Sequence, residues 1–92
     1  MKDIVRSSQF KKDWKKLKHT LTAANRGKFI EIVSFLQEEK QLPEKYLDHS
    51  LEGNYKNHRD CHIAPDLVLI YRLRESSNDV QLVRIGSHAA LF

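Results

Sequence analysis

The spacing of apolar residues changes midway along the chain, and this change limits the folds that the sequence can adopt. Up to about residue 40, apolar residues recur every three or four positions, which is the period of an α-helix. From about residue 55 they tend to alternate with polar residues, which is the period of a β-strand. Helices followed by a strand meander predict an α+β fold, in which two N-terminal helices pack on one face of a small antiparallel β-sheet.

Two helices are predicted in the first part of the chain. The first spans residues 8–19 after an N-capping serine, and the second spans residues 23–39 before Pro43 ends it. The apolar stripe of the first comprises Phe10, Trp14, Leu17 and Leu21. The apolar face of the second is expected to comprise Phe29, Ile30, Ile32, Val33 and Leu36.

Four strands are predicted around these helices. A weak first strand covers residues 3–7, and three stronger ones cover residues 55–63, 67–74 and 80–85, joined by "APD" and by the polar turn "ESSND". On the strand over 55–63, Asp60 and His62 share a face opposite Cys61. On the last strand the two sets of alternating residues are almost equally apolar, so the sequence leaves open which set faces the helices.

Length and apolar content predict one domain over residues 1–92 in the cytoplasm. The chain has no Pro/Gly/Ser-rich break that would separate two cores. Its longest apolar run, Leu67–Tyr71, is far shorter than the roughly 20 residues that cross a bilayer. The N-terminus lacks a signal-peptide core, and the single cysteine allows no internal disulfide, which fits a reducing compartment. No membrane partner is expected.

Basic residues are concentrated at the N-terminal end. The net charge is +4, but residues 1–28 carry nine Lys/Arg and two acids, whereas residues 29–92 carry seven Lys/Arg and ten acids. This asymmetry indicates a polyanionic or acidic partner, and a solvated helix face that keeps the protein soluble is the alternative. The candidate contacts to RNA or the ribosome are Lys11, Lys12, Lys15, Lys16 and Lys18.

Histidines are concentrated in the C-terminal half. These are His49, His58, His62 and His88. Imidazole gives and takes protons near neutral pH, because its ordinary pKa is about 6.5. Cleavage of RNA by its own 2′-hydroxyl needs a base, an acid and a cation that offsets charge on the phosphorane. Histidines together with Arg84 supply this set without a metal or another cofactor.

A zinc site is the main alternative for these histidines. Its ligands would be drawn from Cys61, His49, His58 and His62. Cys61 and His62 are adjacent and therefore point to opposite faces of a strand, and neither a C-x-x-C nor an H-E-x-x-H spacing occurs. We therefore expect no metal site, and Cys61 is interpreted as a small core residue.

Three segments in a fixed order resemble a known family. They are "LDHSLEGN", "RDCHIAPDLVLIYRL" and the terminal "GSHAALF". Together they are similar to the YafQ-like branch of the RelE/ParE toxin superfamily. The resemblance implies a RelE-like fold and a toxin of a type II toxin–antitoxin system that cleaves messenger RNA on the ribosome. It also implies a cognate antitoxin, the ribosome and mRNA as partners.

The same resemblance implies roles for individual residues. His88 would be the general acid or its close partner, and His49 or His62 the base. Asp66 would orient an imidazole or share the proton work, and Arg84 would clamp the phosphate. The remaining implied site residue is Phe92, which would stack on a nucleobase or seal the pocket as the tail returns over the sheet.

One position departs from the family pattern, and two other functions stay open. Relatives often carry Trp after "PD", where this chain has Leu67, so codon preference or rate is expected to differ. The first alternative is a ParE-like toxin with a target other than RNA cleavage. The second is a basic module that binds RNA or protein without chemistry.

Overall fold

Three helices and one five-stranded sheet make up the protein, whose computed structural model describes residues 1–92. In chain order these are β1 (Asp3–Arg6), α1 (Ser8–Leu17), α2 (Ala23–Gln37), β2 (His49–Ser50), β3 (Arg59–Ala64), β4 (Leu67–Arg74), β5 (Asp79–Gly86) and α3 (His88–Leu91). The sheet order is β1-β5-β4-β3-β2. None of the helices has the length and apolar character needed to cross a bilayer.

The predicted α+β fold is confirmed, with one difference in strand direction. Strands β2 to β5 pair in antiparallel fashion, but β1 runs parallel to β5, with Ile4 opposite Val80. The sheet is therefore mixed rather than wholly antiparallel. Parallel neighbours need a long connection between them, and the whole of the helices and the meander separates β1 from β5 in the chain.

Both N-terminal helices begin at the predicted residues and end two residues early. The Ser7 hydroxyl accepts a hydrogen bond from the Phe10 amide at 2.9 Å, as expected of an N-cap. Helix α1 ends at Leu17 rather than residue 19, because the chain turns there into the second N-cap at Thr22. Helix α2 ends at Gln37, because a left-handed residue with φ 59° follows at position 39.

The main core lies between the two helices and one face of the sheet. Helix residues Phe10, Ile32 and Leu36 are buried, and Trp14 and Phe29 pack against them with ring centroids 4.9 Å apart. The sheet contributes Cys61, Ile63, Leu67, Leu69, Tyr71, Val80, Leu82 and Ile85. The expected α2 face is wrong at Ile30, which is 61% exposed.

A β-bulge explains why the sequence of the last strand does not show which of its residues face the helices. Ile70 pairs with Arg84, but the next residue of β4, Tyr71, pairs with Leu82, so Val83 is an extra residue on β5. Leu82 and Ile85, three residues apart, consequently both face the helices. A simple alternation cannot produce that pattern.

The strand predicted over residues 55–63 is shorter and shifted. Strand β3 begins at Arg59, because residues 53–55 form a 3₁₀ turn and Asn57 has φ 68°. Its edge partner β2 has only two residues and was not predicted. The predicted strand over residues 67–74 coincides with β4, and β5 extends one residue beyond its predicted span at each end.

The C-terminal tail packs on the second face of the sheet. Val68 and Ile70 are fully buried there, and Leu91 from α3 packs on them with 6% of its surface exposed. The Ser87 hydroxyl caps α3 by accepting from the Ala90 amide at 3.2 Å. Helix α3 therefore holds the last residues of the chain against the sheet.

Candidate active site

Strand register brings several polar residues to one region of the sheet. His49 pairs with Asp60, Asp60 pairs with Ile70, and Ile70 pairs with Arg84, so these residues form one row across four strands. His62 lies two residues after Asp60 on β3 and therefore shares its face. The candidate site thus lies on the sheet face opposite α1 and α2, beside α3.

Three imidazoles form a row at this site. The ring of His62 lies between those of His49, at a centroid distance of 6.3 Å, and His88, at 5.1 Å. We call these three residues the imidazole row. His58 is not part of it, because its Nδ1 lies 3.0 Å from the Lys56 carbonyl and its ring packs against Tyr55.

His49 is oriented by the Leu47 carbonyl and lies beside the carboxyl group of Asp60. Its Nδ1 lies 2.8 Å from the Leu47 carbonyl oxygen and 3.1 Å from Oδ1 of Asp60. A carbonyl oxygen can only accept, so Nδ1 carries the hydrogen and in the neutral ring Nε2 is the free acceptor. His49 is half exposed, at 53% of its side chain. It can therefore take a proton from a bound group through Nε2.

The loop that precedes His49 is held to strands β3 and β4 through Asp48. Asp48 accepts a hydrogen bond from Nη2 of Arg59 at 3.1 Å and another from the hydroxyl of Tyr71. Burial and this hydrogen bond to Asp48 raise the pKa of Tyr71 well above its ordinary value. Tyr71 therefore stays protonated as the donor that holds the loop.

Asp60 is a buried carboxyl beneath the imidazole row, and the sequence assigned it no role. It is 2% exposed, and its Oδ1 accepts no hydrogen bond, because the Nδ1 hydrogen of His49 is directed at the Leu47 carbonyl. Burial raises the pKa of Asp60, and the three nearby imidazoles partly oppose that rise. Its place on the same face as His62 was the signal available in the sequence.

His88 is oriented by Asp66 in the loop between β3 and β4. One oxygen of Asp66 accepts from the His88 backbone amide at 3.1 Å and lies 3.3 Å from His88 Nδ1. The backbone and side-chain hydrogen bonds from His88 lower the pKa of Asp66 below its ordinary value. Asp66 is thus an ionised acceptor for the Nδ1–H group of His88, whose Nε2 is left free.

Two aromatic rings extend the site beyond His88. The ring of Phe92, 58% exposed, lies 5.9 Å from that of His88 and 5.7 Å from that of Tyr55. The Tyr55 hydroxyl lies 3.5 Å from the Leu91 carbonyl oxygen. Nothing in the spacing of Tyr55 in the sequence indicates this contact with the tail.

Arg84 is paired with a carboxylate of α1 rather than with a histidine. Its Nε and Nη2 donate to the two oxygens of Asp13 at 3.1 and 2.9 Å. These hydrogen bonds raise the pKa of Arg84 further, so it remains a cation. Nothing in the sequence indicates this pair, because Asp13 lies within the lysine-rich helix, 71 residues from Arg84.

The remaining residues named from sequence lie outside the imidazole row. The five candidate lysines are solvent-exposed, four of them in α1 and Lys18 just after its end at Leu17. They are Lys11, Lys12, Lys15, Lys16 and Lys18. Leu67, at the position where relatives often carry Trp, is 8% exposed within the main core, and Cys61 is fully buried there.

Comparison with known proteins identifies relatives over nearly the whole chain. Residues 2–92 match the family described as "Bacterial toxin of type II toxin-antitoxin system, YafQ". The mRNA interferase toxin YafQ of Escherichia coli (strain K12) is 36% identical over 91 residues, which cover 99% of this chain and 96% of that protein.

Solved structures agree with this match. A metal-bound toxin from Helicobacter pylori superposes with a TM-score of 0.89 at 39% identity, covering 100% of both chains. YafQ in the E. coli DinJ-YafQ complex superposes with a TM-score of 0.84 at 35% identity, covering 100% of this chain and 99% of that one. Sequence and structure thus agree along the chain, which belongs to the YafQ family of toxins from bacterial type II toxin–antitoxin systems.

Proposed function

We propose that this protein is an mRNA interferase: a cytoplasmic endoribonuclease, acting as one domain over residues 1–92, that cleaves translated mRNA on the ribosome. The observation that carries the proposal is the imidazole row, in which His62 lies 6.3 Å from His49 and 5.1 Å from His88. Three neighbouring groups that are able to exchange protons match the need of RNA cleavage for a base and an acid. The YafQ relative of E. coli bears the name mRNA interferase toxin.

The reaction proceeds by transfer within the RNA. A base takes the proton of the 2′-hydroxyl as its oxygen forms a bond to phosphorus, and the bond from phosphorus to the 5′-oxygen breaks. An acid gives that leaving oxygen a proton. The products are a 2′,3′-cyclic phosphate and a 5′-hydroxyl end. In our assignment Nε2 of His49 is the base and Nε2 of His88 is the acid, with His62 between them.

The acidic and cationic groups support these two roles. Asp66 and Asp60 lie 3.3 and 3.1 Å from Nδ1 of His88 and His49, respectively, so each is close enough to offset positive charge on its partner ring. Arg84 offsets charge on the phosphorane, and the exposed ring of Phe92 stacks on a base. Leu67 is enclosed in the main core, so it does not contribute to that stacking.

We propose that the cleavage is independent of metal ions. The H. pylori relative has been solved in a metal-bound form. In this chain no three His, Cys, Asp or Glu side chains are arranged to hold a metal ion, and Cys61 lies in the core on the face opposite His62. The residues present therefore do not fit a metal centre, and no step is assigned to one.

The exposed lysines of α1, together with Lys18 just after it, provide a surface for the partners. Their charge suits the phosphates of ribosomal RNA, to which binding weakens steeply with salt. A cognate antitoxin with an acidic or amphipathic segment would cover the same surfaces or the site. The complex of the E. coli relative with DinJ supports an antitoxin partner for this chain.

A translation reaction with a defined mRNA tests the proposed function. We expect new mRNA 5′-hydroxyl ends when the purified protein meets translating ribosomes, and far fewer without ribosomes. A chelator selective for transition metals, with Mg²⁺ retained for the ribosome, is expected to leave the rate unchanged. Intact transcripts, in particular together with DNA damage in cells, would contradict the proposal and favour a ParE-like target.

Asp60→Asn is expected to lower the rate of cleavage and to raise the free energy of unfolding. We expect cleavage about tenfold slower, because the carboxylate 3.1 Å from Nδ1 of His49 no longer offsets the positive charge that this ring gains as it takes the proton. At pH 8 the free energy of unfolding should rise by roughly 1 kcal/mol, because a buried carboxylate without a hydrogen bond is removed. Denaturant titrations and cleavage rates measure the two effects.

The gain in the free energy of unfolding of Asp60→Asn is expected to grow as the pH rises. Because the pKa of Asp60 is raised in the fold, the stability linked to it is present below about pH 3.9 and is lost as the pH rises through the folded pKa. The gain from Asp60→Asn should therefore vanish near pH 3.9. Asp66→Asn is the control, because the pKa of Asp66 is lowered and its contribution is instead lost as the pH falls. Equal profiles for the two variants would contradict this account.

A further inference from the structure

Helix α1 completes the edge of β5 where β1 stops. The last pair of the two parallel strands joins Arg6 to Leu82. Beyond it, the Ser7 hydroxyl donates to the Val83 carbonyl oxygen at 2.7 Å, and Oδ2 of Asp13 accepts from the Ile85 amide at 3.2 Å. The carboxylate of Asp13 thus takes the place of a strand acceptor beside the bulge in β5.

The same carboxylate holds Arg84 along one edge of its guanidinium. Both Asp13 oxygens accept from Arg84, at 3.1 and 2.9 Å, and the side chain of Gln9 donates to Oδ1 at 3.1 Å. The Asp13 side chain is 10% exposed and that of Arg84 is 25% exposed. A guanidinium has five N–H donors, so this bidentate pair leaves three for another acceptor.

The bulge in β5 is the reason why the Arg84 side chain needs a partner that holds it in place. Val83 is the extra residue, and it brings Arg84 into the row that contains Asp60 and Ile70. Bulges redirect side chains beside sites, but they also interrupt the hydrogen bonds that stiffen a strand. A long arginine side chain at such a place would otherwise sample many rotamers and bind a phosphate less effectively.

We propose that Asp13 is a positioning residue for Arg84, which it holds so that the remaining guanidinium donors meet the phosphate during cleavage. This inference rests on the proposed function, in which Arg84 is the phosphate clamp. It assigns to α1 a part in the chemistry, separate from any contact of its lysines with RNA. Asp13 itself touches neither the RNA nor the reacting atoms.

A double-mutant cycle tests this dependence. Arg84→Ala is expected to lower kcat by about 10²-fold, and Asp13→Asn by about 10-fold, the equivalent of 1.4 kcal/mol. The double variant should be no slower than Arg84→Ala, because Asp13 acts only through that arginine. The KM for programmed ribosomes should stay the same in Asp13→Asn, since the exposed lysines are untouched. Asparagine retains an oxygen for the Ile85 amide, so the fold should persist.

The chain offers a matched control at the other end of the β4–β5 hairpin. Arg74 donates through Nε and Nη2 to Asp79 at 2.7 and 2.8 Å, and Asp79 is also buried. Asp79→Asn should lower the melting temperature as much as Asp13→Asn does while leaving kcat unchanged. Equal kcat losses in the two variants would mean that Asp13 is merely structural.

Failure of this inference can be told apart from failure of the proposed function. If the wild type does not cleave mRNA, the proposed function is wrong. If the wild type cleaves and Arg84→Ala is slow, then a fully active Asp13→Asn, or a double variant whose losses multiply, overturns the role of Asp13. A fully active Arg84→Ala overturns it as well.

Discussion

His88→Gln is expected to slow mRNA cleavage by about 10²–10⁴-fold, the usual contribution of a general acid or base. Glutamine cannot carry the proton that imidazole transfers, although it retains a polar side chain of similar reach. The backbone amide of residue 88 keeps its hydrogen bond to Asp66. Because the His88 side chain is 48% exposed, the free energy of unfolding should change by less than about 1 kcal/mol. Cleavage rates and denaturant titrations test both statements.

A histidine elsewhere provides the control for this substitution. His19 is exposed in the turn after α1 and lies outside the imidazole row. His19→Gln should therefore leave both cleavage and stability unchanged. Full activity in His88→Gln would contradict the role of His88 as the general acid, whatever the behaviour of the other two imidazoles.

Leu91→Ala is expected to reduce cleavage by about 10²-fold without altering any group that exchanges protons. Leu91 is 6% exposed and packs on Val68 and Ile70. Loss of such packing typically costs 2–5 kcal/mol, and a helix of four residues cannot stay folded by itself. The tail should therefore detach and take His88 and Phe92 with it. Hydrogen exchange of the last amides and cleavage rates provide the measurements.

Two further variants make the result for Leu91 specific. Leu91→Met conserves most of the apolar volume and should restore most of the rate. Leu73→Ala removes a leucine that is 48% exposed on β4 and should change little. If Leu91→Ala released the tail and cleavage continued at the normal rate, the docked tail would have no part in catalysis.

The bounds of a strand can be predicted where its residues are buried and mostly apolar. Strand β4 was predicted to the residue, because it is buried over most of its length and its sequence is almost entirely apolar. Strand β2 was missed because two exposed residues carry no periodicity. The predicted start of β3 is too early, because the alternation of side chains does not reveal the positive φ of Asn57.

Residues of the candidate site were easier to name than their partners. The motif "HIAPD" and the terminal "GSHAALF" pointed to His62, Asp66 and His88, and the fold brings these together. The partners Asp13 and Asp60 depend on a bulge and on strand register, which only the three-dimensional structure specifies. The parallel pairing of β1 is of the same kind, since it joins the two ends of the chain.

The buried thiol of Cys61 makes it possible to follow the docking and release of the C-terminal tail with a single label. Cys61 is the single cysteine of the sequence, it is fully buried, and burial raises the pKa of its thiol above the ordinary value. Thiols in that state react slowly with alkylating reagents. A cysteine introduced at an exposed position such as Ala89 would therefore take up a fluorophore selectively. Single-site labelling could then report docking and release of the tail in real time, without first removing the native sulfur.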